Sequence, residues 1–578
     1  MKAAQPSPKA STSAKATVDR SAGQAALLAA LVILAGAFQI ARPGYSVDEE
    51  FTEFAVRGIR EHGIPLLPSG LLYDRGLAYS YASVLVDGRV ISLICAALTV
   101  VLTFVVVRRH VGPAAGSLAA ILVTTSIPFW ATATTARFYA PFLLAMLVAL
   151  ATLGSWPALI AAAFVARLLH ELAFLLPLIP LVCAIAARGE RRRWLISTAA
   201  TIAGLLGGQL VLFALHAIDP PSGDTMLRRF FLWQVVNLFE RPPDRQFSIV
   251  LVVALIAIVI APKRAWWWIV GALSVTAMVV GFSIARATNT TPLTLDLAGQ
   301  VLRNGSRYPL DMFWHIADQT PLTLVTALAL LTARAAGAGG EWRPADRAAH
   351  LLWIGWVLWF GVIESGITTN YLLLPMSFML IAIAVDWSAF ALRASADRTG
   401  VIVVALIVVA VALDQWRGGG SPVAKLEAAR PTIHIAGIEE IRDSLQPGDR
   451  VVCTDELGCL MLVGRIDRWL ALDDYVRERF LVRPPSPKAS AGQAATGVYT
   501  GVPAVFRPGD VFSPNGDGSL PDRTIVVDIF KDYPIGSSRL WLPKAIEEDG
   551  LRVTPLLETP QARVLLVSPA ERVAGLQP

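Results

Sequence analysis

Residues 89–107, RVISLICAALTVVLTFVVV, place a single charge in a run long enough to cross a bilayer. No feature constrains the fold more. In hydrocarbon every backbone polar group must be satisfied internally, so such a run folds as a helix or as part of a closed barrel. It also recurs. Comparable apolar runs stand at 24–40, 115–132, 140–153, 156–169, 171–187, 195–215, 247–261, 266–284, 319–334, 350–363, 371–388 and 400–415, which predicts about thirteen spans. The short runs between 140 and 187 suit broken or re-entrant helices, tolerated where protein or a cavity covers the backbone. The 578 residues are 54% hydrophobic and 16% charged, with a mean hydropathy of +0.56. A soluble chain is about a quarter charged, so a polytopic α-helical membrane protein is expected. The net charge of +6 reports topology rather than nucleic-acid binding.

Residues 1–23 are polar, basic and rich in Ser, Ala and Pro, and read as a disordered cytoplasmic tail rather than a cleaved signal. With that tail inside, Arg108–Arg109, Arg188, Arg191–Arg193, Lys263–Arg264, Arg334, Arg343, Arg347, Arg393 and Arg398 fall in cytoplasmic loops. The GYSVDEE loop, ATTARFYAP, 216–246, 285–318 and ESGITTNY fall on the exported face. An odd number of spans puts the region from 417 outside as well. The spans at 24–416 thus form one domain and 417–578 another. In the latter, strand-like runs (RVVCT, RTIVVDIF, ARVLLVSP) alternate with helix-like ones (IAGIEEIRDSL, LPKAIEEDG), which predicts a small α/β domain. Cys453 and Cys459 lie six apart there, either as an export-compatible disulfide or as two buried thiols. Cys95 and Cys183 lie in apolar runs, and no metal-type CxxC spacing occurs.

Ionisable residues gather at the exported ends of the spans. The first loop carries Asp48, Glu49, Glu50, Tyr73, Asp74, Arg75, Tyr79 and Tyr81, and ATTARFYAP carries Arg137 and Tyr139. Arg167, His170 and Glu171 interrupt an apolar stretch, where charges are costly and face a cavity or one another. Arg303, Arg307, Tyr308, Glu364, Asn370 and Tyr371 follow. Arginine presents a permanent, planar charge that matches phosphate oxygens, and a nearby carboxylate can take a proton from a hydroxyl. Acids and arginines at one membrane face therefore suit transfer of a sugar from a polyprenyl phosphate to an alcohol, with positioned charge stabilising the departing phosphate.

In order and layout these motifs resemble the GT-C glycosyltransferases, in particular the group of protein O-mannosyltransferases and lipid A aminoarabinose transferases. The resemblance rests on the Asp48–Glu49 pair after the first span, then AVRGIREHGIPLLPSGLLYDRGLAYSY, GRVISLICAALTVVLTFVVVRRHVGPAAGSLAAIL, ARFYAP and NYLLLP. It covers residues 24–415 in layout, with its specific motifs in the first 140. It implies that Asp48 is the base of an inverting transfer, with Glu49 beside it, and that Arg75, Arg137, Tyr139 and Tyr73 bind the donor phosphate. Where the family's late motif has Arg, this chain has Asn370, so either Arg303 or Arg307 supplies that charge or the donor is held differently. Arg89, Arg167, His170, Glu171 and Tyr371 are further cavity candidates. A polyprenyl-phosphate sugar donor and an envelope acceptor (glycan, glycolipid or protein) are the implied partners. No cofactor is obligatory, since arginines can neutralise a monophosphate, although carboxylates leave a divalent metal open.

Each candidate has a plainer reading. Asp48 and Glu49 also suit a solvated loop end, and Glu50 and Glu53 a helix face. Arg75, Arg89 and Arg137 also suit interfacial anchors, and Arg167, His170 and Glu171 a buried structural set. Trp266–Trp268 suit an aromatic belt. GRIDRWLALDDY suits either an element surface or an acceptor contact. At the level of function, a transporter or flippase of lipid-linked glycans competes with the enzyme, but it would show internal symmetry, and no repeat is evident. A non-catalytic scaffold or receptor for envelope assembly is a third reading. The Ala- and Arg-rich composition fits a high-GC bacterium, so the expected location is the inner membrane with a periplasmic C-terminal domain.

Overall fold

The computed structural model describes most of residues 8–218, then 320–337, 342–358 and 369–394, short stretches between 405 and 416, 432–471, and most of the elements between 481 and 569. The chain divides into two compact units. The first is Met1–Ala41 with Arg75–Arg430, and the second is Arg42–Asp74 with Pro431–Pro578. The expected division placed the first loop with the spans; the contacts group it with the C-terminal region instead.

The first unit is helical. It begins with α1 (Pro8–Ile40), which starts inside the stretch expected to be a tail. Ala and Lys are strong helix formers, and the polar segment simply extends the apolar helix behind it. After α2 (Glu49–His62), which belongs to the second unit, come α3 (Leu77–Leu85), α4 (Gly88–His110), α5 (Pro113–Thr125), α6 (Ile127–Ala133) and α7 (Tyr139–Ala151). They are followed by α8 (Trp156–Leu169), α9 (Leu178–Ala186), α10 (Arg191–Ile218), α11 (Pro321–Ala335), α12 (Pro344–Leu358) and α13 (Thr369–Ala394).

Among the described residues, four helical stretches are long and apolar enough to cross a membrane: Gly23–Ile40, Gly88–His110, Arg191–Leu215 and Leu372–Phe390. The pair α5–α6, bent by 71°, makes a fifth if it is one span. Pro128 follows the break at Ser126, where proline's missing N–H and fixed φ favour a new helix start. Between α8 and α9 a 3-10 helix, Glu171–Leu175, breaks the apolar run, as its short segments led one to expect. The expected spans at 247–261 and 266–284, with Trp266–Trp268, lie outside the described residues apart from Val259.

Arg334 was expected in a cytoplasmic loop, but it is buried. Its guanidinium meets Asp346 of α12 at 2.5 Å and Asp386 of α13 at 3.2 Å. Asp386 also meets His350 Nε2 at 2.8 Å, and Trp353 Nε1 donates to His350 Nδ1 at 3.1 Å. A buried charge is tolerated when paired and hydrogen-bonded, so these polar side chains tie α11, α12 and α13 together rather than mark a solvated loop.

The second unit joins the first-loop segment to an α/β domain. Strand β1 (Tyr45–Ser46) pairs antiparallel with β2 (Thr432–Ile433), with Tyr45 opposite Ile433. The three runs read as strands form β3 (Asp449–Cys453), β8 (Arg523–Ile529) and β10 (Ala562–Pro569). With β4 (Arg468–Leu470), β7 (Ala504–Val505) and β9 (Leu551–Glu558) they make a six-stranded sheet ordered β7-β4-β3-β8-β10-β9. The pairs β7–β4, β4–β3 and β3–β8 are parallel, whereas β8–β10 and β10–β9 are antiparallel. A separate small pair joins β5 (Leu481–Val482) to β6 (Thr496–Gly497).

Besides α2, the described α-helices of this unit are α14 (Ile438–Ser444), α15 (Glu456–Val463) and α16 (Leu542–Glu548). Strand β3 is buried at all five positions, as a central parallel strand must be. Of the two readings for Cys453 and Cys459, the structure takes the disulfide, with Cα atoms 6.2 Å apart. Helix α2 is amphipathic. Phe54 and Ala55 pack with Leu67, Tyr73 and Leu457 of α15 in one buried cluster. Gly58 lets the returning loop cross α2, because a Cβ there would strike the Leu66 backbone.

Candidate functional site

The sequence-derived candidates fall into two sets, one in each unit. In the second unit, Asp48 caps α2 with φ +76°, the left-handed region. Among the described residues it is the only non-glycine with positive φ. That conformation costs an L-residue about 1 kcal/mol, and Asp is one of the few side chains that visits it. Its side chain makes no capping bond to the helix. Glu49 does the local structural work instead, since its Oε2 accepts the Ser46 N–H at 2.6 Å while the residue is 4% exposed. The two members of the pair thus differ in their local contacts.

Glu50, expected on a helix face, is fully buried, because the first turn of α2 turns inward. Glu53 does lie on the exposed face, 3.5 Å from Arg57. Glu49 and Glu50 at the start of α2, with Arg60 and His62 at its end, complement the helix dipole. Tyr73 is buried and stacks on Phe51 at 5.5 Å.

In the first unit the ARFY element forms the irregular link between α6 and α7. Its backbone is pinned by Ser92 of α4, whose hydroxyl donates to the Arg137 carbonyl at 3.1 Å. Tyr79 of α3 donates to the Gly88 carbonyl at 2.6 Å and lies 3.0 Å from the Ser92 hydroxyl. Gly76, directly after Arg75, has φ +68°, and a Cβ there would sit 2.4 Å from the Phe138 ring. Only glycine therefore lets the Arg75 segment approach this element.

Arg137 is 4% exposed and stacks on two rings, with its guanidinium carbon 4.8 Å from the Phe138 centroid and 5.8 Å from that of Tyr139. The same rings surround His170. Phe138 lies 5.1 Å away, Tyr139 6.1 Å and Phe142 5.4 Å. Three arginines, Arg75, Arg167 and Arg137, act electrostatically on that imidazole. His170 Nδ1 accepts the Leu172 N–H at 3.1 Å and so caps the 3-10 helix, which puts the proton of the neutral ring on Nε2. Arg167 donates to Gln209 Oε1 of α10 through Nε at 2.9 Å and through an Nη at 2.6 Å. Glu171 is half-buried at the start of the 3-10 helix.

The structure thus brings Arg75, Arg137, Tyr139, Arg167 and His170 together. Sequence reasoning missed Phe138, Phe142, Ser92 and Gln209, which line or fix this cluster. ARFYAPF does show two extra rings beside the motif, but only the α7–α8 packing reveals that they face His170. Arg89 donates to the Ile40 carbonyl at the end of α1 at 3.3 Å. Arg303 and Arg307 lie outside the described residues, as does the side chain of Tyr371. Among the described residues no three His, Cys, Asp or Glu side chains gather as a metal site requires.

Several apolar helices of spanning length among the described residues mark a polytopic helical membrane protein, and its second unit carries an α/β sheet. No family model and no curated protein matches the chain. Among solved structures it is similar to ArnT from Cupriavidus metallidurans bound to undecaprenyl phosphate. That similarity has 14% identity over 95% of this chain and 99% of that one, with a TM-score of 0.42. The apo state of the same protein is similar at 12% identity, over 93% and 97% of the two chains, with a TM-score of 0.41.

Proposed function

We propose that the chain is an inverting membrane glycosyltransferase that moves a sugar from a polyprenyl-phosphate donor to a hydroxyl of an envelope acceptor on the exported membrane face. The observation that carries this proposal is the buried Arg137 guanidinium stacked on Phe138 and Tyr139, rings that also pack against His170, with Arg167 one turn before that histidine. Permanent positive charge held among aromatic rings in an apolar helical unit suits an amphiphile with an anionic phosphate head. Arginine charge on the bridging phosphate would offset the negative charge that grows there as the bond to the sugar breaks.

In this proposal Asp48 is the general base. It takes the proton from the acceptor hydroxyl as that oxygen bonds to the anomeric carbon. The bond from that carbon to the phosphate oxygen breaks, and polyprenyl phosphate leaves with the electron pair. Attack opposite the leaving group inverts the anomeric centre. Glu49, committed to the Ser46 N–H, holds the Asp48 turn rather than the proton.

The test uses the full chain in lipid nanodiscs with radiolabelled polyprenyl-phosphate pentoses and hexoses and an envelope extract as acceptor. Release of free polyprenyl phosphate together with label on an acceptor is expected for at least one donor. If donors bind, or cross a bilayer in proteoliposomes, while the sugar–phosphate bond stays intact, the enzyme proposal fails and the transporter reading takes its place.

A further inference from the structure

Glu456 opens α15 with 3% of its surface exposed, and its carboxylate faces the turn at Tyr499–Thr500. Oε1 accepts from the Thr500 hydroxyl and from the Thr500 N–H at 3.3 Å. Oε2 accepts the Tyr499 N–H at 3.4 Å. Gly497 makes the approach possible, since a Cβ there would fall on this carboxylate. An acid buried only to fill space would be a poor choice, because its desolvation is costly and a neighbouring leucine, Leu457, fills the same region.

The turn that Glu456 holds reaches the first-loop segment in two ways. The Tyr499 carbonyl accepts the Ser69 N–H at 3.0 Å. The Tyr499 ring meets Phe51 edge-on at 4.8 Å, and Phe51 in turn stacks on Tyr73. Phe51 stands in the first turn of α2, three residues after Asp48. All of these contacts lie within the second unit.

We propose that Glu456 is a positioning residue for Asp48: by holding the Tyr499–Thr500 turn it fixes Phe51, and with it the first turn of α2 on whose cap Asp48 stands. This rests on the base role proposed above for Asp48. It also gives the C-terminal α/β region a duty in the reaction, namely to hold the loop that carries the acid.

Burial pushes the Glu456 carboxyl up to about 7, opposed by its bonds from Thr500 and Tyr499 and reinforced by the nearby Asp455 charge. Other ionisable groups stand on the elements packed against α15: Glu49 and Glu50 on α2, Arg442 on α14 and Asp528 on β8. The Tyr45 hydroxyl lies over Gly458. The folded value lies above the ordinary 4.5. Burying the acid therefore adds its full contribution below about 4.5, and that contribution is lost as pH rises through about 7.

The test is hydrogen–deuterium exchange of the full chain in nanodiscs from pH 5 to 8, corrected for intrinsic rates, read on peptides covering 49–74 and 496–502. In the wild type, protection of both should fall with rising pH, by at most about tenfold per unit, and level off above about 7. Glu456→Gln, which mimics the neutral acid, should keep protection constant across the range. The same slope in both proteins, or none in the wild type, would overturn the proposal. Thr500→Val serves as a second variant. It should lower protection of 49–74 without altering peptides of β8 and β10, and unchanged 49–74 would contradict the latch. Exchange reads these contacts whether or not sugar is transferred. A failure of the latch is thereby told apart from a failure of the Asp48 chemistry.

Discussion

The carboxylate of Glu49 accepts the backbone N–H of Ser46 at 2.6 Å, which separates its role from that of its neighbour Asp48. The bond closes the turn that leaves Asp48 at φ +76°. Glu49→Ala should therefore destabilise the second unit by about 1–2 kcal/mol, a typical value for losing a buried hydrogen bond to a charged group. Glu49→Gln keeps an acceptor oxygen and should cost less than half as much. Thermal melts of the full chain in detergent, with the order Ala below Gln below wild type, check this.

Asp449 and Arg523 form a two-bond ion pair in the α/β region, with Nε–Oδ1 at 2.7 Å and Nη2–Oδ2 at 2.5 Å. The Arg523 hydrogen bond holds the Asp449 carboxyl below its ordinary value, and the Gln446 N–H adds to the effect. A depressed acid contributes stability above its unfolded pKa and loses it as pH falls through the folded value. Asp449→Asn should lower stability at pH 7 by about 2 kcal/mol, and the difference from wild type should shrink below about pH 4. Urea melts at pH 7 and at pH 3.5 measure both.

Much of this layout can be read in the chain, for particular reasons. The strands RVVCT, RTIVVDIF and ARVLLVSP announce themselves because a buried strand reads as a short, nearly continuous apolar run rich in Val, Ile and Leu, and these form β3, β8 and β10. Arg167 and His170 stand out because charge is costly in an apolar setting, whereas Arg75, Arg137 and Tyr139 are singled out by the resemblance of their motifs. Other features depend on long-range packing that no local pattern encodes. The pairing of β1 with β2, nearly 400 residues apart in sequence, moves the first loop into the unit of the C-terminal region. Arg334 resembles any loop arginine until Asp346 and Asp386 close on it. Glu456 resembles any helix-opening acid until the turn at Thr500 covers it.

The Arg334–Asp346–Asp386 set should behave as a buried network, in which removing one charge strands the others. Asp386→Leu or Arg334→Met alone should cost about 3–5 kcal/mol, seen as aggregation during purification or a collapsed melting temperature in detergent. Recovery of wild-type stability by either single change would show that the pairs contribute nothing.

Gly76→Ala combines a left-handed φ with a Cβ 2.4 Å from the Phe138 ring. It should disturb the Arg75 and Arg137 surroundings together and weaken donor binding at least tenfold, a loss of about 1.4 kcal/mol. Titration of the nanodisc-held protein with a labelled polyprenyl-phosphate sugar reads this. The neighbouring loop variant Gly70→Ala also has positive φ but open space around its Cβ. It should leave donor affinity near wild type.

The base assignment is tested most directly by sugar transfer from a labelled polyprenyl-phosphate donor, measured for wild type, Asp48→Asn and Glu49→Gln at matched donor occupancy. Asparagine keeps the size of the side chain and tolerates the left-handed backbone, but it cannot take a proton. Transfer by Asp48→Asn should fall by at least about a hundredfold, the scale of a lost general base, with donor affinity unchanged and Glu49→Gln remaining active. Transfer by Asp48→Asn at the wild-type rate would contradict the account.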